Sequence, residues 1–321
     1  MPSHRNFDSL PAFAQLKELA RRPYDLSREG ALSPDRLSGY LCRAAGFDLL
    51  YATERVDDQV LDTLQHLADE SEAVDQFLAM KKGAVLNRIE GYPSEERQVL
   101  HTAVRDIFSE EPLEPQATAQ AQAELAKLRQ FLTELDSGKI TNSKGEPFTD
   151  LVQIGIGGSD LGPRALYLAL AAYRRVGRRI HFISNVDPDE AAAVLKGLDL
   201  SRTLVKVVSK SGTTLETLTN EELVRKAYQE AGLDPGRHFL AVTGKGSPMD
   251  NPARYRRSFY MFDYIGGRYS ATSMVGAVML GFALGWEPLL DILRGANTMD
   301  RAAEEREIRR NPALLLAVLG I

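Results

Sequence analysis

The chain has little cysteine: Cys42 is the only one among 321 residues. A single cysteine cannot form a disulfide within the chain, and a protein without internal disulfides fits a reducing cytoplasm. Cys42 lies in GYLCRAAGFDLL, a run with a helix-like pattern. Since free cysteines are among the most buried residue types, we expect core packing there rather than a reactive thiol.

Long hydrophobic runs are also missing. The longest, at residues 274–286 and 312–321, are shorter than the roughly 20 residues of a membrane span, so we interpret both as buried helices. No basic stretch followed by an apolar one opens the chain, and no secretory signal is expected. Because the last segment is still strongly apolar, we expect it to pack back on its domain or to be followed by further chain.

The chain has no block of basic residues, and its net charge is −5. We therefore expect neither a nucleic-acid partner nor a membrane surface, and a small acidic ligand must be held by local geometry. The histidines lack the spacing of a metal site, so no metal is expected. With 44% hydrophobic residues, the chain can form one large domain or two smaller ones.

Hydrophobic periodicity divides the chain. Apolar residues recur at helical spacing up to residue 115, for example in residues 10–22, 57–70 and 96–108, and again in residues 123–139. Beyond Phe148, short apolar runs alternate with helix-length segments, which predicts an α/β fold with a parallel sheet covered on both faces. These runs lie at residues 151–156, 180–184, 203–209, 238–243 and 259–264. We predict a helical part over residues 1–115, an α/β domain over 116–295 and a helical connection over 296–321.

The first strand ends in IGIGGSDLGP. Asp160 stands where a dinucleotide fingerprint needs glycine, and Pro163 and Arg164 stand where a phosphate loop of the Walker type needs lysine and a hydroxyl. A nucleotide-dependent oxidoreductase is therefore nearly excluded. Three glycines before a possible cap at Ser159 or Asp160 suggest either a ligand close to the backbone or tight packing. These glycines are Gly155, Gly157 and Gly158.

Hydroxyl groups cluster where the strand at residues 203–209 meets the next helix. The first turn of a helix carries unpaired N–H groups and a partial positive charge, so it favours an anion. Hydroxyls add donors that rotate to suit a phosphate. The segment therefore predicts a phosphate-binding loop, with a helix cap richer in hydroxyls than it needs as the alternative. Its residues are Ser209, Lys210, Ser211, Gly212, Thr213 and Thr214.

A lone arginine, Arg268, follows Gly266 and Gly267 in IGGRYSATSMVG. A guanidinium beside an apolar helix needs an anionic or carbonyl partner, and it would suit an oxyanion that forms during a reaction. The alternative is a salt bridge to Asp263 or another carboxylate.

Together these segments resemble the phosphoglucose isomerase (glucose-6-phosphate isomerase) family. The matches are IGIGGSDLGP, HFISNVDP, SKSGTTLETLTNE and GGRYSATSMVG, in the family's order. Residues 94–105 resemble the family's Arg-x-x-Leu-His helix, and NPALLLAVLGI resembles the segment that follows the arginine. The resemblance extends from about residue 80, whereas SKSGTT alone would mark only sugar-isomerase (SIS) domains in general.

The resemblance implies an SIS-type three-layer α/β sandwich behind a helical N-terminal extension. It also implies conversion of glucose 6-phosphate to fructose 6-phosphate through a cis-enediolate, without metal or organic cofactor, in a homodimer. Gly158 and Ser159 would line the sugar, residues 209–214 would bind its phosphate, and Arg268 would stabilise the enediolate.

The sequence departs from the family pattern in two respects. Ser211-Gly212 replaces the Thr-Phe of some members. Family members are also longer and have two SIS domains, so the glutamate base, a ring-opening histidine from the partner subunit and a C-terminal lysine are expected outside these residues. The chain alone is therefore expected to be inactive. A non-catalytic sugar-phosphate-binding SIS module is the alternative, although no DNA-binding helix-turn-helix precedes the loops and Arg268 fits the enzyme pattern.

Overall fold

The computed structural model describes residues 6–89 and 91–321, and the chain forms two compact units. The first unit consists of the residues up to Ala84 together with Gly295–Ile321, and the second consists of Val85–Arg294. The division of the sequence after residues 115 and 295 stays a prediction. No helix in the described part of the chain is long and apolar enough to cross a membrane.

The first unit is mainly helical, with one short hairpin. Polar caps start three of its helices: Ser33 accepts a hydrogen bond from Arg36 N, Asp57 accepts one from Val60 N, and Asn311 accepts one from Leu314 N. Its elements are α1 (Pro11–Leu19), α2 (Pro34–Gly39), β1 (Leu41–Ala44), β2 (Phe47–Leu50), α3 (Asp58–Glu70), α4 (Ala73–Lys81), the end of α10 (Trp286–Ala302) and α11 (Pro312–Leu319).

The helix predicted around Cys42 is wrong, because β1 and β2 form an antiparallel hairpin there. Ala45 and Gly46 turn the chain with φ angles of 53° and 80°, the left-handed conformation of a two-residue hairpin turn. The prediction that Cys42 is buried is confirmed, since its exposure is 1%. Burial raises the pKa of its thiol.

The second unit is built on a five-stranded parallel sheet with the strand order β4-β3-β5-β6-β7. The first four predicted strands are confirmed, whereas the last strand begins at Arg257, ends at Tyr260 and overlaps the predicted run 259–264 only at its first two residues. The strands are β3 (Asp150–Ile154), β4 (Arg179–Ile183), β5 (Thr203–Ser209), β6 (Phe239–Thr243) and β7 (Arg257–Tyr260). The helices are α5 (Pro115–Asp136), α6 (Leu161–Ala169), α7 (Pro188–Lys196), α8 (Leu215–Glu230), α9 (Met274–Leu284) and the start of α10.

Alternation along the strands sends side chains to two apolar layers, which confirms the three-layer α/β sandwich. Leu151, Leu204 and Val208 pack in one layer with α5 and α9. Val152 and Val205 pack in the other layer, with α7 and α8. Every residue of α9 is buried, as its uniform hydrophobicity predicts.

Two local predictions in this unit are corrected. Helix α5 begins at Pro115, eight residues before the segment 123–139 whose spacing predicts a helix, because Glu114 caps it by accepting from Ala117 N. Residues 94–105 are not helical: the N–H of Leu100 donates to Tyr264 O at 3.1 Å, and only a single 3-10 turn, Asp106–Phe108, follows. A long-range backbone bond replaces the helical pairing that the apolar spacing predicts.

Candidate active site

The strand order determines where a ligand can bind. The chain leaves β3 for β4 on one side and later adds β5 on the other side of β3. At such a switch point the loops at the carboxyl ends of the two strands diverge, and ligands bind in the crevice between them. The glycine-rich loop follows β3, and the hydroxyl-rich loop follows β5, so the two sequence-predicted loops flank this switch point.

Ser209 gives the loop after β5 its shape. Its side chain is buried, with 3% exposure, and its Oγ accepts from Gly212 N at 3.1 Å and lies 2.8 Å from Thr214 Oγ1. Gly212 has a φ of 69°, and a Cβ atom there would lie 2.9 Å from Ser247 Oγ. Glycine is therefore required at this turn on both conformational and steric grounds.

Other hydroxyls of the same loop face outward. Ser211 and Thr213 are exposed, with 2.9 Å between their hydroxyl oxygens. Thr214 occupies the N-cap position of α8, but its side chain makes no capping hydrogen bond. Capping of α8, the alternative explanation for the hydroxyls, therefore does not account for them. The Thr214 side chain leaves the first-turn N–H groups of α8 unoccupied.

Lys210 connects the loop after β5 to the segment that follows β7. Its Nζ donates to Asp263 O at 3.1 Å and to Ile265 O at 3.2 Å. Its backbone is held from the other side, because Gly244 N donates to Lys210 O at 3.0 Å. The ammonium group thus fixes the chain just before Arg268.

The loop after β3 packs against the turn that carries Arg268. A Cβ atom on Gly158 would overlap the backbone of Gly267, so only glycine allows the approach. Ser270 Oγ donates to Gly158 O at 3.1 Å, and Gln153 Nε2 donates to Ser159 O at 2.8 Å. The sequence left two explanations for these glycines, close packing and a ligand near the backbone. At Gly158 both explanations can hold together.

Asp160 takes the N-cap position of α6 without a side-chain capping bond. Its carboxylate instead accepts from Arg164 Nε at 2.9 Å. Burial raises the pKa of the Asp160 carboxyl, and the neighbouring Arg164 only partly offsets this effect. The prediction that Ser159 or Asp160 caps the helix by a side-chain bond is wrong for both residues.

Arg268 is an exposed residue of a 3-10 turn, Gly267–Thr272, whose Ser270 is buried. The salt bridge to Asp263 that was the alternative is absent from the described residues: the Asp263 carboxylate lies 2.6 Å from Arg97 and 3.7 Å from Lys210 instead. The Arg268 guanidinium makes no ion pair with any residue that the structure describes. Its charge is available to a ligand.

A cavity of about 580 Å³ opens beside this arginine, a size that suits a small molecule. Cationic groups on its wall come from three parts of the second unit, namely Arg97, Lys210 and Arg268, and the carboxylates of Glu95 and Asp263 also line it. Tyr269 also lines it and stacks on His101, with 4.7 Å between the ring centroids. No cluster of metal-binding side chains occurs in residues 6–89 and 91–321.

The family model of phosphoglucose isomerase matches residues 50–321 of this chain. This chain belongs to the phosphoglucose isomerase family. It is 55% identical to the glucose-6-phosphate isomerase of Desulfotalea psychrophila over 320 residues, which cover 99% of this chain and 60% of that protein. It is 52% identical to the glucose-6-phosphate isomerase of Protochlamydia amoebophila, over 100% of this chain and 58% of that protein.

The fold agrees with a solved member of the phosphoglucose isomerase family. The crystal structure of a glucose-6-phosphate isomerase from Chlamydia trachomatis matches with a TM-score of 0.93 at 47% identity, covering 98% of this chain and 60% of that one. A hypothetical protein from Thermus thermophilus matches with a TM-score of 0.56 at 29% identity, covering 81% of this chain and 54% of that one. The chain therefore spans about 60% of the length of the curated relatives.

Within this family fold, the structure brings the residues predicted from the sequence to one edge of the sheet. Gly158 and Ser159 follow β3, residues 209–214 follow β5, and Arg268 follows β7. The sequence signals Arg97 only through the Arg-x-x-Leu-His pattern that contains it, which does not mark it as a site residue. Gln153 and Lys206 could not be identified from the sequence, because they lie inside strands where apolar residues are expected.

Proposed function

We propose that these residues belong to a cytoplasmic glucose-6-phosphate isomerase, which interconverts glucose 6-phosphate and fructose 6-phosphate in glycolysis and gluconeogenesis. The observation that carries the proposal is the position of Arg268. Its guanidinium, without an ion pair among the described residues, borders the same cavity as Lys210 of the hydroxyl-rich loop. Family membership supports the proposal, and the single cysteine fits the cytoplasm.

The loop after β5 would bind the phosphate group. The exposed Ser211 and Thr213 and the half-buried Thr214 supply hydroxyl donors beside the N-terminal N–H groups of α8. Ser209 acts from beneath by accepting the Gly212 N–H, which directs the backbone around the anion. Lys210 would line the site with its backbone while its ammonium holds the segment before Arg268.

The sugar would extend from the phosphate along Gly158 and Ser159 toward Arg268. Isomerisation moves a proton from C2 to C1 of the open-chain aldose and places negative charge on the oxygens of the enediolate. A fixed guanidinium stabilises that charge more than it stabilises the uncharged carbonyl, which lowers the barrier. No metal or organic cofactor is needed for this step.

The carboxylate base remains an expectation from the family resemblance, which places it outside these 321 residues. The same holds for the homodimer, in which a histidine of the partner subunit would aid ring opening. We therefore propose that the chain alone binds sugar phosphate without turning it over.

A coupled assay of fructose 6-phosphate conversion tests the proposal, run on these 321 residues and on the full-length product of the gene. We expect turnover by the full-length protein only. Turnover by the 321 residues would contradict the position of the base. Binding without turnover by the full-length protein would contradict the isomerase and favour a non-catalytic SIS module.

A further inference from the structure

A lysine lies inside the central strand of the sheet. Lys206 of β5 has an exposure of 0%, and its Nζ donates to Val275 O in the first turn of α9. No ion pair of Lys206 occurs in the part of the chain that the structure describes. Burial lowers the pKa of its ammonium group well below the usual range. The phosphate-binding and enediolate-binding groups proposed above do not include it.

A second buried polar side chain lies beside it. Gln153 of β3 is the register partner of Lys206 in the parallel pairing, so both side chains point to the same face of the sheet. Gln153 has an exposure of 1%, and its Oε1 has no hydrogen-bond partner among the described residues. The surrounding layer is otherwise apolar, with Leu151, Leu204 and Val208 among its members.

Each of the two side chains supports one of the two loops that meet at Gly158. Gln153 Nε2 donates to Ser159 O at 2.8 Å, which holds the loop after β3. Lys206 holds the start of α9, which directly follows the turn that carries Arg268. The two supports therefore act on the two sides of the proposed site.

Hydrogen bonds above this layer complete the connection. Val275 N donates to Ser273 Oγ at 3.2 Å, and Ser273 Oγ donates to Ser270 O at 2.7 Å. Ser270 Oγ then donates to Gly158 O at 3.1 Å. Lys206 and Gln153 are neighbours in the sheet. Together with their own hydrogen bonds, the bonds above therefore connect β5 to the Arg268 turn, that turn to the loop after β3, and that loop back to β3.

Stability does not explain this arrangement. Taking an ammonium group and an unpaired amide oxygen out of water is unfavourable, and well-packed hydrophobic residues of similar volume are often as stable or more stable. Fixed geometry is the remaining benefit, because a small displacement of a group at a reacting centre is costly for turnover.

We propose that Lys206 and Gln153 are positioning residues that together fix the Arg268 turn relative to Ser159. The proposal rests on the isomerase function proposed above. It differs from a packing role in what it predicts: loss of either side chain affects recognition of the enediolate and leaves phosphate binding and stability in place.

The test uses the complete 321-residue chain with Lys206→Met, Gln153→Met and the double variant. Leu204→Met, on the same strand and the same face, is the matched control. Calorimetric titrations use inorganic phosphate and a five-carbon sugar hydroxamate phosphate, whose planar O–C–N–O group imitates the cis-enediolate. Urea unfolding gives the stability of each variant.

We expect each single variant to lose about tenfold to hundredfold in affinity for the hydroxamate, with unchanged affinity for phosphate and an unfolding midpoint that is equal or higher. The double variant should lose no more than either single one, since the two side chains act as a unit. Leu204→Met should match the unaltered chain.

Three outcomes would overturn the proposal. Parallel losses of phosphate affinity, hydroxamate affinity and stability would show a packing role only. Unchanged hydroxamate binding in Lys206→Met, with tight binding by the unaltered chain, would reject the positioning role and leave the isomerase proposal intact. An unaltered chain that binds neither probe would reject the proposed function itself.

Discussion

A Cβ atom added to Gly158 would lie 2.8 Å from Gly267 Cα and would overlap its carbonyl group, whereas a Cβ atom on Gly267 would have Gly158 Cα, at 3.8 Å, as its nearest neighbour. The contact between the loop after β3 and the Arg268 turn thus has no space for a side chain on Gly158, but it has space for one on Gly267. It is backbone against backbone, so neither partner can rotate away.

This asymmetry predicts unequal effects of two alanine substitutions on stability. Gly158→Ala should lower the free energy of unfolding by about 1–3 kcal/mol, because the two loops must separate to admit the methyl group. Gly267→Ala should leave stability within about 0.5 kcal/mol. Urea unfolding measures both, and equal losses would show that the two loops do not pack as described.

Alanine substitutions of two serines in the phosphate loop should affect ligand affinity and protein stability differently. Ser211→Ala removes an exposed hydroxyl, so we expect affinity for fructose 6-phosphate to fall by about 1.5–3 kcal/mol with little change in stability. Ser209→Ala removes a buried hydroxyl that accepts from Gly212 N and lies 2.8 Å from Thr214 Oγ1, while Gly212 N keeps its backbone acceptor, Ser209 O; this should cost about 0.5–1.5 kcal/mol of stability in addition. Calorimetry and urea unfolding separate the two effects. A large stability loss in Ser211→Ala would contradict its outward position.

Arg268→Ala should leave stability and phosphate affinity unchanged, because the exposed side chain makes no ion pair within the described residues. In the full-length enzyme it should lower kcat by about a hundredfold to a thousandfold, the usual loss for one oxyanion donor. Arg268→Lys is the matched control, since it keeps the charge but not the planar fork. Equal losses of kcat and substrate affinity would indicate ground-state binding instead.

Stability should depend on the protonation of His238. Its ring is buried, and its Nδ1 donates to Thr203 O at 2.9 Å. Burial lowers the pKa of His238, so the folded protein holds the neutral ring. In the unfolded chain the ring has its ordinary pKa of about 6.5 and takes up a proton below it.

The stabilisation is therefore fully present above about pH 6.5 and is lost as the pH falls toward the pKa of the folded state. Unfolding free energies from about pH 8 to about pH 5 should decline by up to about 1.4 kcal/mol per pH unit from this residue alone. His238→Gln should remove that part of the slope, and His66→Gln, at an exposed position, should not. A slope unchanged in His238→Gln would refute the assignment.

The sheet could be predicted from the sequence because buried parallel strands appear as uninterrupted apolar runs, as in residues 203–209. The hairpin around Cys42 could not, since its turn depends on a left-handed Ala45 that composition does not signal. Residues 94–105 carry helical spacing, but Leu100 bonds to Tyr264 across the fold. A contact between residues so distant in sequence has no local signature.

The candidate site, like the fold, could be predicted from the sequence only in part. Its loops were predictable because glycines and hydroxyls at strand ends reflect local backbone needs. The direction of the Lys210 ammonium was not, because it depends on carbonyl groups of the segment after β7. The buried pair of Gln153 and Lys206 emerged only from strand register, which places residues of two strands side by side.

The most direct test of the account is a calorimetric titration of the unaltered chain with fructose 6-phosphate and, separately, with fructose. We expect saturable binding of fructose 6-phosphate, displaced by inorganic phosphate and weakened by Ser211→Ala, and no binding of fructose. Equal binding of both sugars, or fructose 6-phosphate binding that Ser211→Ala does not weaken, would contradict the phosphate site at residues 209–214.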